Sequence, residues 1–132
     1  MTHYPHMLAE DTEVWSKYLA DPIDAIAEVW YDVHVGLPVE VPDAADALGA
    51  RIARGITRKR IDVVCRVDST LWVVEIKPFA SMTALGQVLG YTRLFIEEYR
   101  PTVEVLPVIV CDAVDDDLVD EFEVDGVLVI TV

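Results

Sequence analysis

The sequence predicts an α/β or α+β sandwich, a mixed β-sheet with helices packed on it. Three observations predict it. From residue 60 onward the patterns run strand, strand, helix, strand, short helix, strand. One long apolar-striped helix is bounded by Ser81 and by Arg100-Pro101. One strand carries Val108-Ile109-Val110 and is apolar on both faces, as a central strand is. Composition agrees: of 132 residues, 53% are apolar and 26% charged. That is enough for one real core without disulfide staples, and too apolar for a disordered chain. No apolar run approaches the roughly 18–20 residues that span a bilayer. The Met-Thr-His-Tyr-Pro-His-Met start has neither the basic nor the apolar region of a signal peptide.

The elements follow in order. Asp11 or Thr12 is expected to cap a helix through Leu19, with Val14, Trp15 and Tyr18 as its apolar stripe. Asp21-Pro22 breaks the chain, and Ile23 to Glu28 reads as a helical turn. Val29 to Val35 is β-branched and aromatic, hence a strand. Pro38 and Pro42 mark a loop or edge, and Asp43 caps a helix from Ala44 to Arg54 ending near Gly55. Arg60–Val67 and Leu71–Lys77 form a hairpin around Asp68-Ser69-Thr70, with Pro78 expected to end it. Ser81 caps a helix to Tyr99. Its stripe is Met82, Leu85, Leu89 and Ile96, widened by Phe95 and Tyr99. Gly86 and Gly90 on another face weaken that helix, so a close backbone neighbour is expected there. Val103–Cys111 is a third strand expected to be buried on both faces, Asp115–Glu121 a short acidic helix or turn, and Val127–Val132 the last strand. No repeat, low-complexity linker or second domain is visible, so residues 1–132 read as one domain.

The formal charge is −14, which by itself repels a polyanion such as DNA. The charge is unevenly spread. Six of the ten basic residues are Arg51, Arg54, Arg58, Lys59, Arg60 and Arg66, with Asp62 as the one acid among them. This strip is either a solvated face or a rim that touches phosphates. Cys65 and Cys111 lie in apolar runs and read as buried thiols, with a single bridge between them as the alternative. A cytoplasmic location suits them.

On the second strand Glu75 and Lys77 share one face. Asp62 lies 13 positions earlier on the preceding strand, and the hairpin can bring it close. Two carboxylates supply hard oxygen ligands for Mg²⁺ or Mn²⁺, and the backbone carbonyl of Ile76 is a further ligand. An ammonium such as that of Lys77 can orient water or hold a phosphate oxygen. The plain alternative is an exposed ion pair at a strand end. Gln87 and Tyr91, at i and i+4, share one face of the long helix.

Together these residues resemble the PD-(D/E)XK nuclease superfamily. Asp62, then Glu75-Ile76-Lys77, then Gln87-x-x-x-Tyr91 is similar to the RecB-type branch, over about residues 60–111. The proline of the motif's name is replaced by Ile61. The resemblance implies a restriction-endonuclease-like mixed β-sheet flanked by helices. It implies Asp62 and Glu75 as metal ligands, Lys77 as the catalytic lysine, and Gln87 and Tyr91 facing the site. It also implies an acid from the first helix, Glu10 or Glu13, although Glu13 equally suits an ion pair with Lys17. The function it implies is hydrolysis of DNA by a Mg²⁺- or Mn²⁺-dependent nuclease, with Arg54, Arg58, Lys59, Arg60 and Arg66 contacting the nucleic-acid backbone.

The rival reading is an idle nuclease-fold module in a larger assembly such as a phage particle, where the acidic surface meets protein partners or further copies and the location is the virion. The acidity and the lack of an added DNA-binding domain favour that rival; the intact Asp62, Glu75 and Lys77 weigh against it. His3 and His6 read as a solvated terminus, and His34 as a structural partner of Asp32. The Asp115-Asp116-Asp117 run lacks the spacing of a calcium loop and reads as capping.

Overall fold

A computed structural model describes residues 7–37 and 58–132. The expected helix from 44 to 54 with its Asp43 cap, and Arg51, Arg54, His3, His6, Pro38 and Pro42, lie outside the described residues. The elements are α1 (Ala9–Ala20), β1 (Ile26–Val35), β2 (Lys59–Val67), β3 (Thr70–Ala80), α2 (Met82–Tyr99), β4 (Glu104–Val114), a 3₁₀ turn (Asp116–Leu118), α3 (Val119–Val124) and β5 (Leu128–Thr131). The strands form one sheet in the order β1-β2-β3-β4-β5. The first two pairings are antiparallel and the last two parallel. This is the expected mixed sheet.

The sheet carries apolar side chains on both faces. α1 packs Val14, Trp15 and Tyr18 on one face against Val63, Cys65, Trp72, Val74, Val108 and Val110. The other face meets α2 through two clusters, one around Val88, Ile109 and Cys111 and one around Val64, Val73 and Phe95. β4 is an interior strand buried on both faces, as its sequence indicates: Val108, Ile109, Val110 and Cys111 are all fully buried. Both cysteines are free and buried. Among the described residues no helix is long and apolar enough to cross a membrane.

Several local expectations are overturned, each for a physical reason. Ile26 to Glu28 is strand, because Ile26 pairs with Val67 and Glu28 with Arg66 across a bulge. Edge pairing outweighs the helical propensity of that short segment. Pro78 lies inside β3 instead of ending it. The Ile76 N–H points towards β2, where a side chain accepts it. The nitrogen of Pro78, two residues on, faces the same side, past the last rung that β2 shares with β3. The proline therefore removes no ladder bond.

α1 starts at Leu8 without a side-chain cap, and Asp11 and Thr12 lie within the helix, buried. α2 has its Ser81 cap, with the hydroxyl accepting from the Ala84 N–H at 3.4 Å. It ends at Arg100 in the left-handed region. Its buried stripe is rotated from the expected one: Ala84, Leu85, Val88, Thr92 and Phe95 face inward. Met82 and Ile96 are exposed. Among the described residues Gly86 and Gly90 have no close neighbour, since a Cβ at either would meet nothing there within 4 Å.

Candidate active site

β2 and β3 pair from Val67↔Thr70 to Val63↔Val74. Asp62 and Glu75 stand at the next rung, where the ladder stops. Beyond it β2 stays with β1 as far as Lys59↔Val35, while β3 continues along β4 to Ala80↔Val114. The two strands therefore fork. The Asp62 Oδ2 accepts the Ile76 N–H at 3.0 Å, in place of a backbone acceptor. The N–H and C=O of one strand residue point to the same side. The Ile76 carbonyl therefore points towards the side that β2 leaves.

The fork gathers the charged residues that the sequence singles out. Glu75 is 4% exposed although it is a carboxylate. Lys77 Nζ is 3.6 Å from its Oε1. Burial, then the charge of Asp62, pushes the Glu75 carboxyl up to about 8, against the opposing pull of Lys77. Asp62 is raised by burial and opposed by the Ile76 N–H and Lys77. Tyr91 reaches the site from α2: burial and the charges of Glu75 and Asp62 raise its hydroxyl. Gln87 lies one turn earlier, and its Oε1 is buried with no hydrogen-bond partner among the described residues.

The acid of α1 that lies buried within electrostatic reach of the fork is Asp11. Glu10 and Glu13 are exposed, while Asp11 is 6% exposed. Its carboxyl is pushed up to about 6 by burial and by Asp62, and lowered by Lys77. Lys17 does not depend on Glu13 for a partner: its Nζ lies 2.8 Å from Asp112 Oδ1. The missed signal was available in the spacing. Asp11 precedes Val14, Trp15 and Tyr18 at i+3, i+4 and i+7, so it lies on the buried stripe and not opposite it.

The described part of the basic strip is largely tethered. Arg58 donates to the Gly36 carbonyl at 3.0 Å and pairs with Glu98, so it clamps the end of β1 to α2. Arg60 lies 3.7 Å from Asp32, and Arg66 lies 3.2 Å from Glu28. Lys59 is exposed. Asp32 also has His34 at 3.9 Å and stands in the left-handed region in mid-strand. Asp115 caps the 3₁₀ turn, accepting the Asp117 N–H at 3.1 Å.

Three carboxylates and one ammonium share this fork. Together they would leave a buried surplus of negative charge, which must be met by protons or by a cation. Among the described residues no three His, Cys, Asp or Glu side chains form a ready-made metal cage. The donor set still fits Mg²⁺ or Mn²⁺, because such ions are commonly held by one or two carboxylates and keep several waters.

No family model matches the chain, and no curated protein matches it. Solved structures do. A repair endonuclease from Pyrococcus abyssi superposes with a TM-score of 0.61 at 14% identity, covering 100% of this chain and 49% of that one. An EndoMS complex with double-stranded DNA superposes at 0.56 and 15% identity, covering 100% and 48%. The chain thus spans about half the length of each. Its five-stranded mixed sheet flanked by helices is a restriction-endonuclease-like fold.

Proposed function

We propose that this chain is a nuclease-fold domain that hydrolyses DNA phosphodiester bonds with Mg²⁺ or Mn²⁺. The observation that carries the reading is the fork, where Asp62, Glu75 and Lys77 meet beside Asp11. Asp62, Glu75 and the Ile76 carbonyl would hold the ion. A bound divalent ion supplies charge stabilisation at a phosphate and lowers the pKa of water.

The chain's own residues do the rest. Lys77 holds a phosphate oxygen or orients water from its place beside Glu75. Asp62 keeps one oxygen on the Ile76 N–H, which fixes the rotamer and leaves Oδ1 for a ligand. Asp11 is a further buried carboxylate whose charge acts on Asp62 and Lys77. Gln87 and Tyr91 close the α2 side, in the manner of the RecB-type helix motif. Lys59, Arg60 and Arg66, with Arg54, contact the DNA backbone, while Arg58 is spent on its clamp. Phosphate contacts of this kind position the strand and do not specify its sequence. A neighbour of the same fold is a complex with double-stranded DNA, which supports DNA as the partner.

Cleavage of duplex, single-stranded and branched DNA with each metal tests the proposal. The wild type cleaves at least one of them, and Lys77→Ala loses about 10²–10³ in rate. A wild type inert on all of them with both metals ends the reading.

A further inference from the structure

A second concavity lies beside the fork and has no role in the proposed chemistry. It has a volume of about 620 Å³, within the range of ligand sites. Its floor belongs to β1 and β2. Trp30 faces Val64 across that pair, and Val64 faces Val73 on β3. Val64 is two residues after Asp62, so the floor begins about 7 Å along the strand from the fork. α2 forms the wall with Phe95 and Tyr99, whose rings lie 5.0 Å apart. Asp32 lines the groove and also acts electrostatically on Asp62, so the groove lies within electrostatic reach of the fork.

The lining has a specific chemistry. Trp30 is 40% exposed and Tyr99 is 49% exposed. Large aromatic rings left open to water in a concave site are surfaces for a flat apolar partner. Arg66 stands at the rim. Its pairing with Glu28 joins two half-exposed side chains, so it holds the guanidinium weakly. Arg66 and Arg58 bring two cations to the lining of one groove on a chain of formal charge −14. Open aromatic faces with a guanidinium beside them match an unstacked nucleotide, whose base stacks and whose phosphate is a bidentate partner for Arg.

We propose that this groove binds an unpaired base of the nucleic-acid strand held at the fork, stacked on Trp30 with its phosphate on Arg66. The inference rests on the nucleic-acid part of the function proposed above. It is independent of whether the fork cleaves.

Tryptophan fluorescence reads it directly, because Trp15 and Trp72 are buried and Trp30 is the exposed one. The probe is a short oligothymidylate titrated into the whole chain in EDTA, where no metal-dependent cleavage proceeds. The expected result is saturable quenching. Trp30→Ala lowers oligonucleotide affinity roughly tenfold, the loss of one base–aromatic stack, while Trp30→Phe retains most of it. Arg66→Ala weakens binding and reduces the salt slope by about one. Thermal melts establish that each variant is folded.

An oligouridylate arm separates the two sources of a base: tighter oligothymidylate binding supports DNA, and tighter oligouridylate binding overturns it. Binding without quenching, or a folded Trp30→Ala that binds like wild type, overturns the groove. So does quenching that follows protein concentration alone, which assigns the groove to a second copy. Quenching by an inert wild type preserves the groove and ends the nuclease reading. Cleavage with unquenched Trp30 does the reverse.

Discussion

The two halves of the β2–β3 hairpin use the same pair of strands for opposite ends. In the closed half, Val63–Val67 pairs with Thr70–Val74 and every rung is a backbone rung. Its side chains Val63, Val64, Cys65, Trp72, Val73 and Val74 are buried and apolar. In the open half, one residue further on, a carboxylate replaces the backbone acceptor and three acids crowd one lysine. Burial is nearly equal on both sides: Val74 is 1% exposed and Glu75 is 4% exposed. What differs is the use of that burial. Dry apolar packing stabilises the closed half, while the open half keeps charges out of water at a cost in stability. The apolar rungs anchor the pair of strands, and the acids and Lys77 gather where the ladder stops.

Substitutions on the two sides of that boundary should therefore separate activity from stability. Glu75→Ala is expected to reduce cleavage about 10²–10³-fold with the chain still folded. Val74→Ala, the neighbouring residue on the opposite face, is expected to lower stability by about 2 kcal/mol in urea unfolding. Its effect on cleavage should come only through that loss.

Acidity sharpens the contrast. Glu75 titrates near 8 in the fold against 4.5 normally, and Asp11 near 6 against 3.8. Between these values the folded protein binds more protons than the unfolded chain, so stability falls as pH rises towards 8. Below the ordinary carboxylate range this contribution is fully present. Glu75→Gln removes most of the slope and melts several degrees above wild type at pH 8, by about 2 kcal/mol. A melting series from pH 5 to pH 8.5 in EDTA checks it. Added Mn²⁺ should flatten the wild-type slope, because the ion takes the place of the protons.

Smaller effects test the boundary itself. Asp62→Ala leaves the Ile76 N–H without its acceptor and costs about 1–2 kcal/mol in urea unfolding, whereas Asp62→Asn keeps an amide oxygen there and costs less. Both abolish cleavage. Arg58→Ala releases the clamp between β1 and α2 and costs about 1 kcal/mol. A loss of DNA affinity without this loss of stability would return Arg58 to the phosphate-contacting set.

The fold was legible where patterns were long. The two-sided apolar run of β4, the Ser81 cap and the hairpin around Asp68 all appear as the sequence indicates. The fork residues were visible because period-two alternation puts Glu75 and Lys77 on one face. Legibility failed where a distant partner decides. Ile26 became strand because Val67 pairs with it, and Pro78 stayed in the strand because β2 no longer pairs there. Asp11 was read as a cap, since an acid before an apolar stripe usually is one. Its spacing to Val14, Trp15 and Tyr18 already put it on the buried stripe; what local sequence does not contain is the fork whose charges it meets. The Trp30 groove was hidden likewise, because it exists only once α2 crosses the β1–β2 surface.

The central claim is that Asp62 and Glu75 form one site for a hard cation. Calorimetric titration of Mn²⁺ into wild type, Asp62→Asn and Glu75→Gln tests it most directly. The account predicts saturable binding by the wild type, with proton release near neutral pH, and a large loss of affinity in both variants. Binding that is absent from the wild type, or equal in all three folded proteins, would contradict it.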